Sequence, residues 1–197
     1  MAWKTTRPSL LQRVRDPADG PAWAAIDARY GEPIVRYLQA RGLQRADAED
    51  VRQGILVSLA SALPRFEYRP ERGRFRSYLG RVVRNALARH FERPNAAARD
   101  LEEVDEPGED DADPLWEREW AAHHLRRAMR TVRRTFDPRN VDAFDRLLAG
   151  ERVPDVARTL EMTPETVQKV KQRIRDRLKA LIEAQVAEED SFGARAP

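Results

Sequence analysis

Apolar residues recur at helical spacing along most of the chain. Between residues 22 and 43, Trp23, Ile26, Tyr30, Ile34, Tyr37 and Leu38 fall mostly three or four apart, the period of one helix face. Gly31 and Pro33 lie inside this run and are expected to interrupt or bend it. The stretch "DAEDVRQGILVSLASALPRF" predicts a second helix. Asp47 suits its N-cap, Glu49 and Asp50 its first turn, and Val51, Ile55, Leu59 and Leu63 its buried stripe, with Pro64 at its end. "EYRPERGRF" reads as a loop, broken by Pro70 and Gly73. "FRSYLGRVVRNALARHFER" then predicts a strong helix. Phe75, Leu79, Val82, Val83, Ala86, Leu87 and Phe91 face inward; Arg76, Arg81, Arg84, Asn85, Arg89 and Arg93 fall mostly on the other side.

From residue 94 to residue 114 the periodicity vanishes. Pro94, Pro107, Gly108 and Pro114 break structure, and Asp100 to Asp113 holds nine acids and no base. Mutual repulsion of these acids, with no apolar period between the breakers, predicts an extended, flexible linker. Beyond it the helical period returns. Residues 115–136 predict one helix with Leu115, Trp120, Leu125, Met129 and Val132 in its core face, broken at Asp137-Pro138. "NVDAFDRLLAG" follows, with Gly150 in the position that ends a helix. Two more helices come next, and the end from residue 187 is expected to be a disordered tail. The pattern therefore predicts an all-α fold of two small helical domains, 1–93 and 115–186, joined by an acidic flexible linker over 94–114.

Charge sharpens this division. The 197 residues carry a formal net charge of +3 and a sequence pI of about 9.5. By segment, residues 1–93 carry 18 basic and 10 acidic side chains, residues 94–119 carry 2 and 11, and residues 120–197 carry 16 and 12. Two basic lobes flank an acidic middle, and basic lobes point to a polyanion partner. The absence of cysteine removes disulfides and thiolate chemistry and is compatible with a reducing cytoplasm, where the chain is expected to work. No apolar run approaches the ~20 residues of a membrane span, and "MAWKTTRPSLLQRVRD" lacks the apolar core of a signal peptide.

"VPDVARTLEMTPETVQKVKQRI", residues 153–174, reads as a helix-turn-helix. Val153, Val156, Ala157 and Leu160 give the first helix an apolar face, and "EMT" makes the turn. Thr163 caps the second helix and Pro164 suits its first position. Val167, Val170, Ile174, Leu178 and Leu181 anchor it, leaving Glu165, Thr166, Gln168, Lys169, Gln172 and Arg173 outward, where they could read a major groove. The turn position after Leu160 suits glycine, because it often needs positive φ. Glu161 there either costs on the order of 1 kcal/mol or implies a turn of another shape.

Taken in order, these segments resemble a bacterial RNA polymerase sigma factor of the extracytoplasmic-function type, in its minimal two-domain form. "DAEDVRQ" is similar to the family's segment of that pattern, and "RFEYRPERGRFRSYLGRVVRNAL" to the segment that follows it. The resemblance covers about residues 20–93 and 115–182. It implies that Asp47, Glu49, Asp50, Arg52 and Gln53 dock on core RNA polymerase, with Gly54 departing from the usual acid. It implies that Tyr68, Arg74, Arg76, Arg81, Arg84, Asn85 and Arg89 handle the minus-ten promoter element, Asn85 holding a flipped base and Tyr68 stacking. Phe66 and Tyr78 are further stacking candidates, although Phe75 and Tyr78 are better read as core. The helix-turn-helix would read the minus-thirty-five element through Glu165, Thr166, Gln168, Lys169, Gln172 and Arg173. The acidic linker would thread the polymerase near the path of nascent RNA, as an RNA-like placeholder or as a plain spacer.

The implied partners are core RNA polymerase, promoter DNA and an anti-sigma factor, with no membrane, and the implied process is transcription initiation. No cofactor or metal is expected. His123 and His124 are adjacent and diverge by about 100° on a helix, and neither a nucleophile constellation nor a phosphate-binding glycine loop is present. The chain is therefore not expected to be an enzyme. The alternative is a helix-turn-helix transcriptional regulator that never engages core polymerase. It leaves the basic helix at 75–93 and the linker without a joint purpose.

Overall fold

The computed structural model describes residues 10–65, 75–92 and 113–193, with the side chains of Leu11, Arg65 and 188–193 left out. The loop at 66–74, with Phe66, Tyr68 and Arg74, lies outside the described residues, as do Arg93 and the linker up to residue 112. The described residues are helical, without a strand: α1 (Leu10–Arg13), α2 (Gly20–Ala40), α3 (Arg45–Ala62), α4 (Phe75–Glu92), α5 (Pro114–Thr135), α6 (Pro138–Leu148), α7 (Val153–Thr159) and α8 (Pro164–Gly193). They form two compact units, Met1–Trp120 with Glu189–Pro197, and Ala121–Glu188.

In the first unit, Ile26, Tyr30, Ile34, Tyr37 and Leu38 of α2 pack with Ile55 and Leu59 of α3 and with Phe75, Leu79, Val82 and Val83 of α4. α2 runs through Gly31 and Pro33 as one helix, against the expected interruption. Both residues are buried, and packing on this apolar face outweighs the hydrogen bond that Pro33 cannot donate. At Gly31 a Cβ would stand 2.7 Å from Asp27 Oδ1, so the missing side chain leaves room for the Asp27–Arg52 ion pair. α3 starts at Arg45 with Gln44 at the cap, so Asp47 sits in the first turn rather than at the N-cap. Phe91, expected inside, is 61% exposed in the last turn of α4.

The first turns of α5 complete this unit. Trp116 and Trp120 are each 2% exposed and belong to the first core, although the sequence pattern placed Trp120 in the second lobe. Tyr30 stacks on Trp120 at 5.4 Å between ring centroids, and Tyr37 meets Trp116 edge-on at 5.6 Å. Gly80 admits Trp116: a Cβ there would lie 2.8 Å from the indole nitrogen. The same nitrogen donates to the Arg76 carbonyl at 3.1 Å.

The second unit is built on Ala128, Met129 and Val132 of α5, Val141 and Phe144 of α6, Val156 and Ala157 of α7, and Val167, Val170, Ile174 and Leu178 of α8. Leu125, expected in the core, is 46% exposed. Gly150 ends α6 at φ 91°, its amide donating to the Leu147 carbonyl while Glu151 reaches back to Arg146. α8 continues to Gly193, past residue 187 where the tail was expected to begin.

Candidate nucleic-acid and polymerase interfaces

In the second unit, Thr163 precedes α8 and its hydroxyl accepts from the Thr166 amide at 3.2 Å, which satisfies one of the open N-terminal donors. Val167, Val170 and Ile174 turn inward. That fixes the opposite face, on which Glu165, Thr166, Gln168, Lys169, Gln172 and Arg173 are all exposed. The structure therefore brings all six sequence candidates together on the first turns of one helix. The Glu165 carboxyl is held below the usual carboxylate range by its own backbone amide, then by the Thr163 hydroxyl and by Lys169. Arg173 lies over the Phe136 ring at 5.9 Å, a cation–π contact that orients its guanidinium.

The turn between α7 and α8 takes the strained form. Glu161 is at φ 50°, in the left-handed region that disfavours a side chain. Arg139 of α6 braces it, donating through Nε to the Leu160 carbonyl at 2.8 Å and through Nη2 to the Glu161 carbonyl at 2.9 Å. Sequence reasoning missed this arginine; its partners are carbonyls more than twenty residues away, which leave no side-chain pattern. Glu161→Gly should raise the stability of this unit by about 1 kcal/mol, measured by urea unfolding followed by circular dichroism.

In the first unit, Asp47, Asp50 and Gln53 lie one helical turn apart on an exposed face of α3. Glu49 and Arg52 are engaged inside the unit: Arg52 donates to Glu49 at 2.8 Å and pairs with Asp27. Asp47, Asp50 and Gln53 are thus the exposed members of the expected docking set, beside Gly54, with Glu49 and Arg52 partly buried. Space around Gly54 is open, since nothing lies within 4 Å of the position a Cβ would take. Gly54→Ala should stabilise α3 by about 1 kcal/mol, read as a higher midpoint in thermal melts.

On α4, Arg76, Arg81, Arg84 and Asn85 are half-buried and Arg89 is exposed. Arg76 pairs with Glu117 at 2.8 Å. Tyr78 is 5% exposed, and burial pushes its hydroxyl pKa up. It is a core residue and not a stacking platform.

Asp113 closes the first unit. It caps α5, accepting from the Leu115 amide at 2.9 Å, and its second oxygen accepts from the Tyr37 hydroxyl at 2.6 Å and from Arg41 at 2.7 Å. Burial works against its charge, yet these donors outweigh burial and hold its carboxyl below the ordinary range. Burial, and then Asp113, push the Tyr37 hydroxyl up to about 12. Among the described residues no group of three or more His, Cys, Asp or Glu is placed to hold a metal ion, and no helix is long and apolar enough to cross a membrane.

The first unit thus defines a class: a small helical domain with a carboxylate-bearing helix and an arginine-rich helix around one core. Residues 27–96, from α2 to just beyond α4, match the family described as sigma-70 region 2. Over these residues the chain is similar to sigma-70 region 2, which supports the sequence resemblance to a sigma factor. The second unit lies outside that match. Among solved structures the chain is similar to one titled "Structure of CnrH in complex with the cytosolic domain of CnrY", at 22% identity, 89% coverage of this chain, 96% coverage of that one and a TM-score of 0.36. No curated protein matches the chain.

Proposed function

We propose that this protein binds core RNA polymerase through the exposed face of α3 and directs it to particular promoters. The observation that carries the reading is the sigma-70 region 2 match over α2 to α4, the elements to which the sequence resemblance assigns polymerase docking and the minus-ten element. Asp47, Asp50 and Gln53 make the docking contacts, with Glu49 and Arg52 beside them at the rim. Arg76, Arg81, Arg84, Asn85 and Arg89 of α4 handle the melted strand, together with Tyr68 and Arg74 of the preceding loop. Glu165, Thr166, Gln168, Lys169, Gln172 and Arg173 read the upstream element: a carboxylate can accept from cytosine, an amide suits adenine, and Lys or Arg suits guanine. An anti-sigma factor is the further partner that the sequence resemblance adds.

A regulator that acts without polymerase would leave the region 2 match unexplained. Promoter-duplex binding with and without core polymerase separates the two readings. The proposed function predicts weak binding by the chain alone and a tight, sequence-selective complex once core polymerase is added. Equal, tight binding under both conditions would favour the free regulator.

A further inference from the structure

The second half of α5 has a surface that the candidate sites do not use. Between Glu119 and Asp137 the sequence holds five arginines and no acid. Helical spacing puts Arg127, Arg130 and Arg134 on the side turned away from buried Ala128, Met129 and Val132, with Arg133 at its edge. Arg127, Arg130, Thr131, Arg133, Arg134 and Gln185 line an open concavity of about 410 Å³. Gln185 is held in place by His124, whose Nδ1 lies 2.9 Å from its Oε1. Asp145 reaches Arg133 at 3.3 Å, toward one edge.

We infer that this face is a second nucleic-acid contact, a cationic track for the backbone phosphates of duplex DNA. Three features favour that occupant. First, Arg127 to Arg134 spans roughly 10 Å of helix, the axial length of about three steps of one DNA strand at ~3.4 Å each. A row of guanidinium groups over that length matches a repeating anion better than a single phosphate. Second, the guanidinium fork suits phosphate oxygens. Third, the track lies in the same unit as the proposed reading helix, and α5 is tied to that helix where Phe136, which follows α5, lies under Arg173 of α8. Contacts of this kind add affinity without sequence preference, which complements a helix that reads base edges. The inference rests on the reading of α8 as the DNA-facing helix.

The test uses the full chain and a fluorescein-labelled mixed-sequence duplex, titrated by anisotropy at several salt concentrations. Replacing Arg127, Arg130 and Arg134 with Gln should weaken binding roughly tenfold or more near 0.1 M salt and reduce the slope of log K against log salt by about two to three. Replacing the same three with Lys should restore most of the slope, because the charge is kept; this also guards against a folding defect. Unchanged affinity and slope in the Gln variant would overturn the inference. So would loss of core-polymerase binding with DNA binding intact, which would assign the face to an acidic protein surface. The Lys169→Ala, Arg173→Ala double variant separates this from the reading of α8. If that variant binds DNA as the unaltered chain does, the reading of α8 fails, and the track is judged by its own variants.

Discussion

Asp113→Ala should destabilise the first unit by about 3 kcal/mol. The estimate combines a lost helix N-cap, about 1 kcal/mol, with a buried hydroxyl deprived of a charged acceptor, roughly 1.5–3 kcal/mol. The Arg41 pair adds less, because the Arg41 side chain is 43% exposed. All four tryptophans lie in residues 1–120, so their fluorescence during urea unfolding reports on this unit. The loss should depend on pH. The folded state lowers the Asp113 pKa, so its contribution is fully present above the unfolded value near 4 and fades as pH falls through the lower, folded value. The variant should therefore show a flatter stability profile below about pH 4. An unchanged unfolding midpoint at neutral pH would mean that the α5 cap is not held as described.

The second large effect is functional. Replacing both Lys169 and Arg173 with Ala should reduce promoter use at least tenfold, since a good base-edge contact is worth about 1–3 kcal/mol. Core-polymerase binding should stay intact, because the docking candidates lie on α3 in the other unit. Both side chains are exposed, so folding should be unaffected. Loss of core binding in this variant would show that the DNA surface has been misplaced.

What was legible in the sequence follows its physics. Helices α2 to α8 announce themselves through apolar period, and the outward face of α8 follows from the inward set Val167, Val170 and Ile174. The interruption expected at Gly31 and Pro33 did not occur, because tertiary packing overrides local propensity. Trp120 went to the wrong core for a related reason: periodicity shows which face of a helix is apolar, not which neighbour covers it. Asp113 is the clearest case. Among nine acids in fourteen residues it looks like one more solvated charge, yet its partners Tyr37 and Arg41 lie over seventy residues away. Asp113 thus has a structural role that the acidic composition hides, and a variant that removes the charges of residues 100–111 should spare it. α3 starts before Asp47, with Gln44 in the cap position and no side-chain cap bond, a shift of the size by which helix ends vary.

The central claim is that this chain gives core RNA polymerase a choice of promoter. Run-off transcription on a genomic library, with core polymerase in the presence and absence of the chain, tests it most directly. The account predicts discrete start sites that appear only when the chain is added and that fade in the Lys169→Ala, Arg173→Ala variant. No specific start sites with chain and core polymerase together would contradict it.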